Sequence, residues 1–564
     1  MMIRSELILL SISALLFCSA AMITIPLDRS LESDGISLPI SETTGVPADV
    51  LLLQQSLGVF RGWAIDALWL RALERRDQGA FHESMQLANW ITKLQPYFPR
   101  VWNFQAWMLA FEMALDTSQP EQRWVWVREA VDLLRGPALR ANPLSGEIHD
   151  QLSYLFWFKI GEFQDEAAIY YQARLCQRWR GILGDPPGQD ATRYLETLRK
   201  VAEAGTDPSQ LPAEMFEDVA LQEIIEQAWL EPEPALAGGM EVLFAGRSAS
   251  WRESIEALLR RRVLERDMNM SVDLMVRMGE EFGAVDWRTP AAHAVYWGIQ
   301  GALRRTSEGL SAKLDHDTID EVFIKSSVRI GLQQMVARGR ALLDDSGKLI
   351  TILPQPGLLP AYERALQVLS GGEGIPDELL PRVIQIISAA IVDSWLQGEE
   401  PLAHQLLHRH DQLIGKTDRA ADVDLISTVE ELALMTLDTD EELPLLTIQI
   451  RARALVALGG AGTAVEAVRG EQLADLLERS LSEPQRIETA RISLVTALRS
   501  PRAGAPLSVK RNIWDTLGDE QKQSVDETTR SLLVIEARRA GGEPELLFPG
   551  ITLPGKRGTS IKGD

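Results

Sequence analysis

From position 50 to about position 540 one pattern repeats. Apolar residues recur at helical spacing, short Gly/Pro turns cut the runs, and strand alternation is almost absent. Nothing else constrains the fold as strongly. A helix with one apolar stripe has to bury that stripe against a neighbour, so the chain is expected to be all-α and built from packed helix pairs. Residues 61–77 put Ile65, Leu68, Trp69 and Ala72 on one stripe, and Gly79 ends it. Residues 81–94 carry a second stripe through Phe81, Met85, Ala88, Ile91 and Leu94, stopped at Pro96. A third helix is expected over residues 100–115 and a fourth over 121–140, ending at Asn142-Pro143. A fifth and sixth follow over 147–159 and 163–183, separated at Gly161.

Further helices are expected at 249–266, 270–282, 290–306 and 317–341. Residues 348–353 (KLITIL) alone have strand character, ended by Pro354 and Pro356. The Pro/Gly-rich stretch 230–239 and the Gly-rich stretch 371–374 read as boundaries. They divide the body into helical regions at 50–229, 240–370 and 375–545, with a disordered tail at 546–564.

The first helix pair resembles the tetratricopeptide repeat. That family has a Gly ending its first helix, an aromatic two residues on, small residues in the second helix, and a Pro 17 residues after the Gly. Gly79, Phe81, Ala88 and Pro96 stand at those places, with Ser84 at the family's small position five after the Gly. Glycine permits the tight turn, small residues let the helices approach, and proline ends the unit. Gly161 with Phe163, and Trp395 and Gly398 with Ala403, repeat parts of the pattern. The next unit departs from the family, since Pro96 and Pro143 are 47 residues apart rather than 34. The resemblance covers about a third of the chain. It implies a helical-hairpin solenoid, a tetratricopeptide-like superhelix, that binds peptides or proteins on a concave face.

Residues 7–27 form an uncharged apolar run of 21 residues. As a helix it would span about 30 Å, enough to cross a bilayer core. It reads as an uncleaved membrane anchor, because the apolar stretch continues through Met22, Ile23 and Ile25. The alternative is a cleaved signal peptide, with Ser19 and Ala21 at the cleavage site and full export. Lipidation at Cys18 does not fit, since Leu16-Phe17 precedes it. Arg4 lies before the run, while Asp28, Glu32 and Asp34 follow it. The body is therefore expected outside the cytoplasm, in the periplasm or at the cell surface, behind a tether at 28–49.

Composition closes off several classes. At 45% apolar residues the chain is no disordered protein, and two cysteines in 564 residues make no disulfide scaffold. With 57 basic against 80 acidic residues, net −23, it is a poor match for nucleic acid. Glycine-rich phosphate loops, dinucleotide fingerprints, a Gly-x-Ser-x-Gly elbow and a His-Glu-x-x-His zinc motif are all missing. No cofactor or metal is expected.

Four local features remain. Asp286-Trp287-Arg288-Thr289-Pro290 reads as a helix start, with Thr289 as cap and Pro290 in the first turn. Asp286, Trp287, Arg288, His293 and Trp297 are the candidate partner- or ligand-binding residues. Their other reading is a start locked by a buried Asp–Arg pair and aromatic rings. His404 and His408 lie on one helical face with Asp411 nearby, but two histidines without a clear third ligand make a weak metal site, and the other reading is an exposed helix face. Arg260, Arg261 and Arg262 read as a solvated face or as partners in internal ion pairs. The carboxylates of 411–442 lack calcium-loop spacing and read as an acidic surface. Eight of 15 tryptophans lie between positions 63 and 157, and Trp69, Trp90, Trp102 and Trp107 are expected to fill spaces between helices.

Two functions follow as expectations. The first is a membrane-tethered, outward-facing scaffold binding protein partners, either transiently or as a subunit of an envelope assembly. The second is an exported all-α enzyme acting on glycans through carboxylates about 5–10 Å apart.

Overall fold

The structure, a computed structural model, describes residues 61–162, 165, 167–185, 194–240, 244–283, 285–306, 309–311, 318, 326–343, 349–372, 374–415, 425–435, 437, 443–459, 463–499, 507–539 and 542–551. The apolar run 7–27, the tether 28–49, Phe163 and most of the tail lie outside these residues. Among the described residues the chain is mostly helical, with one two-stranded hairpin. No described helix is long and apolar enough to cross a membrane. The chain divides into two compact units, residues 1–151 and 152–564.

The first unit holds α1 (Arg61–Asp77), α2 (Phe81–Leu94), α3 (Pro99–Trp107) and α4 (Pro120–Leu133). A π-helical turn, Met108–Met113, extends α3, and another, Leu134–Ala138, extends α4. Pro137 lies within the second π turn. Proline has no N–H to give, and a widened turn tolerates it where a regular α-helix does not. α1 and α2 fold as a hairpin about Gly79, whose φ is +75°, a conformation that favours glycine. Ser84 and Ala88 are buried, and the Ser84 hydroxyl donates to the Ala72 carbonyl at 2.7 Å. The small residues thus sit where the two helices meet, as the repeat-like spacing requires. Ile65 packs with Ile91, Leu94 and Val101, which places the start of α1 beside the end of α2 and the start of α3.

The units divide within α5 (Gly146–Tyr154), which continues through a π turn, Leu155–Ile160. The second unit continues with α6 (Ala168–Leu183), α7 (Tyr194–Glu203), α8 (Val219–Leu230), α9 (Pro232–Ala237), α10 (Ala249–Arg262), α11 (Val272–Phe282), α12 (Pro290–Leu303) and α13 (Ser326–Arg338). Strands β1 (Arg340–Leu343) and β2 (Leu349–Leu353) pair antiparallel, Ala341 opposite Ile352. Then come α14 (Leu359–Leu369), α15 (Leu380–Leu396), α16 (Glu400–Leu413), α17 (Leu425–Met435), α18 (Leu443–Leu458), α19 (Ala464–Glu478), α20 (Glu483–Arg499), α21 (Leu507–Thr516), α22 (Asp519–Ser524), α23 (Glu527–Arg539) and α24 (Pro544–Leu547).

Helix α12 is the centre of its unit, since all 14 of its residues are buried. It is apolar on every side, so it packs all round instead of along one stripe. Gly298 and Gly331 let α12 and α13 touch. A Cβ on Gly331 would lie 2.8 Å from Val295 Cγ2 and 3.1 Å from its backbone nitrogen. Gly398, at φ +85°, turns the chain between α15 and α16, and Ala403 behind it is buried.

Two sequence expectations differ from the fold. Residues 230–239 contain α9, started by Pro232, and the core of Met215, Ile225, Met240 and Ile255 runs on either side of it. Proline in a first turn starts a helix rather than marking a linker. The helix expected to run to position 341 ends at Arg338, and strand β1 begins at Arg340. Gly339 lies between them, and a Cβ there would run into the Met335 carbonyl, so no side chain fits.

Candidate functional site

The structure brings Asp286, Trp287, Arg288 and His293 together, Trp297 lies one turn beyond His293 on α12 against Tyr296, and no more than 1% of any of them is exposed. The short loop before α12 sets the geometry. One Asp286 carboxylate oxygen accepts the Arg288 backbone N–H and Nε, both at 3.0 Å. The other accepts Arg288 Nη2 at 3.0 Å and the Ala341 backbone N–H at 2.8 Å. Arg288 Nη2 also reaches the Ala341 carbonyl at 3.4 Å. The ion pair therefore closes the edge of β1 away from β2, where no other strand bonds among the described residues. Buried strand-edge groups need such partners. Burial alone would lower the Arg288 guanidinium, but hydrogen bonds and charge from Asp286 outweigh it and hold it above its ordinary value.

Aromatic rings seal the node. His293 Nε2 lies 2.9 Å from the Trp287 carbonyl oxygen, and its ring sits 4.3 Å from Trp179 and 4.8 Å from Phe156. The Tyr194 ring lies 5.7 Å from the Arg288 guanidinium. Cys176 is buried beside the pair, and burial, aided by the Asp286 charge, pushes its thiol up to about 12. A thiol held neutral in this way is a poor nucleophile. Thr289 occupies the N-cap position, but its hydroxyl donates back to the Asp286 carbonyl at 2.8 Å and caps no helical N–H. The node fixes α6, α12 and β1 to one another. Its side chains meet other parts of the protein rather than solvent.

Beside it, at the start of α12, lies a small recess with room for about one water molecule. Gly161, Gln172, Pro290, Ala291, Gln334, Arg338 and Ile352 line it. None of these is a carboxylate, so the recess offers no acid–base pair for glycan chemistry.

The remaining sequence candidates resolve as follows. Arg260 donates to the Ile182 carbonyl at the end of α6 and to Glu256. Arg261 donates to Ala202 and Ala204 carbonyls at the end of α7 and pairs with Glu265. Cations at helix carboxyl ends complement the helix dipole. Arg262 lies over Trp229 at 4.6 Å. His404 and His408 are exposed on α16, whereas Asp411 is buried and 3.3 Å from His410 Nδ1. Among the described residues no group of three His, Cys, Asp or Glu side chains is placed to hold a metal. Much of the acidic stretch 411–442, including Asp422, Asp424, Asp438 and Asp440, lies outside the described residues.

The first unit adds a surface that the helical stripes did not disclose. Trp102 is buried as expected, its Nε1 donating to the Pro96 carbonyl at 2.7 Å. Trp90 and Trp107 instead stand exposed. Trp90 is one residue off the Ala88–Ile91 stripe and so turned about 100° from it. Trp69 meets Phe104 at 4.9 Å between ring centres, and Trp107 stacks on Phe111 at 4.1 Å. These rings line the side where α1 and α3, the first helices of successive hairpins, meet. The signal was present in the 61–151 sequence as tryptophans in excess of what its apolar stripes accommodate.

No family model matches the chain, and no curated protein and no solved structure matches it either.

Proposed function

We propose that the chain is a membrane-tethered helical-repeat scaffold of the cell envelope, its body outside the cytoplasm, that docks protein partners on its amino-terminal hairpins. The observation that carries this reading is the row of rings along α1 and α3. Trp69, Phe104, Trp107 and Phe111 form it, and Trp107 is 38% exposed. Rigid aromatic side chains at a surface are the usual anchors of protein interfaces. A tetratricopeptide-like superhelix would present these first helices on its concave face. The left-handed Gly79 and the Ser84–Ala72 contact support that kind of hairpin. The apolar run 7–27 and the charges flanking it support the tether and the orientation.

The test is recovery of partners from solubilised membranes with the full chain as bait. Replacing Trp107 and Phe111 together by alanine is expected to cut recovery at least tenfold while leaving the fold intact. Recovery of a soluble cytoplasmic monomer with no envelope partner contradicts the reading.

A further inference from the structure

We infer that one end of the first unit, carrying Trp63, Trp90, Tyr97 and Phe98, lies in the headgroup layer of an anionic membrane. The inference rests on the tethering reading above and adds which surface faces the lipid. Topology gathers these residues. α1 and α2 run antiparallel about Gly79, and Ile65 packs on Leu94 and Val101, so Trp63 shares an end with the α2–α3 turn. Trp102 Nε1 and Asn142 Nδ2 both donate to the Pro96 carbonyl at 2.7 Å, which ties the turn after α4 to the same end. Trp63 is 81% exposed, Trp90 51%, Tyr97 46% and Phe98 43%. Leu144 is exposed beside them. Tryptophan and tyrosine in such positions favour the boundary between headgroups and acyl chains.

The two ends differ in charge balance. At the aromatic end Lys93, Arg100 and Arg140 are exposed together with the carboxylates Asp66, Glu147 and Asp150, Lys93 lying 5.4 Å above the Trp90 ring and Arg100 3.9 Å from Glu147, so this end is close to neutral. At the Gly79 end Glu74, Asp77, Glu83, Asp116 and Glu121 are exposed. There Arg75 pairs with Glu83 and Arg76 with Asp77. Cations near the surface attract anionic lipid, and the carboxylates of the other end are repelled by it.

The same contrast holds along the chain. Residues 61–151 have ten Lys or Arg against eleven Asp or Glu, whereas residues 152–564 have 45 against 63. The chain also arrives from the apolar run at residue 61, which belongs to the aromatic end. The 33 residues between positions 27 and 61 can reach about 110 Å when extended, so the tether permits contact without imposing it.

The experiment uses the full chain with Cys18→Ser, which leaves only the buried Cys176. An environment-sensitive nitrobenzoxadiazole dye is attached at Leu144→Cys or, at the opposite end, at Gln119→Cys. Each protein is reconstituted into vesicles of phosphatidylcholine and phosphatidylglycerol, with or without bromine near the headgroup. The dye at 144 is expected to be quenched at least twofold by brominated lipid and the dye at 119 to be unaffected. Trp63→Ala with Trp90→Ala is expected to halve the quenching at 144. Equal responses at 144 and 119 overturn the inference. So does a blue shift at 144 that grows with protein concentration without lipid, because a second copy then covers this end. Alkaline carbonate extraction of the same vesicles reads the anchor separately. Retained protein without quenching at 144 keeps the tether and rejects the surface. Quenching of protein that carbonate releases keeps the surface and rejects the tether.

Discussion

The two tryptophan-rich regions use similar residues to opposite ends. Around α12, Trp179, Trp287, His293 and Tyr296 pack on one another beside an Asp–Arg pair that is no more than 1% exposed. In the first unit Trp63, Trp90 and Trp107 stand in solvent on helices whose other faces are packed. The difference comes from what surrounds each ring. α12 is apolar on every side and is enclosed by neighbours, so its aromatics become interior. α1 and α2 have one packed face each, and any tryptophan off that face remains outside. Buried rings build a fold, and exposed rings on a rigid scaffold are available to a partner or a membrane.

The sharpest way to break this contrast is at the ion pair. Arg288→Met leaves Asp286 buried without its cation, and stability is expected to fall by about 3–5 kcal/mol in chemical denaturation. A loss under 1 kcal/mol means that the node is not the lock described. Trp297→Ala empties space in the same interior and is expected to cost about 3–5 kcal/mol by the same measurement. Gly331→Ala pushes a methyl group against Val295 and is expected to cost about 1–3 kcal/mol. Gly79→Ala meets no neighbour but forces an L-residue into a left-handed turn, a loss of about 1 kcal/mol in thermal unfolding. Trp107→Ala is expected to change stability by no more than about 0.5 kcal/mol. A large loss there would make Trp107 a core residue and erase the comparison.

Much of the fold was legible because its punctuation is local. Gly79, Pro96, Asn142-Pro143 and Gly398 end or turn helices through their own backbone preferences, and the structure has breaks at each. Strand β1 was not legible. Its sequence, RALL, has no alternation, and it is a strand because β2 bonds one edge while Asp286 and Arg288 hold the other. The Asp–Arg node was visible as a string, but its burial depends on β1 and α6, which are distant in sequence. The exposed tryptophans were hidden for the converse reason. Their stripes are apolar enough to suggest packing, and only the arrangement of neighbouring hairpins decides which ring is covered.

Photo-crosslinking in intact cells reads whether the exposed rings of the first unit dock a partner. A benzophenone amino acid is placed at Trp107 and, as a control on an exposed helix of the second unit, at His404. Discrete protein adducts are expected from position 107 and none from position 404. Equal adducts from both positions, or none from 107, contradict such docking.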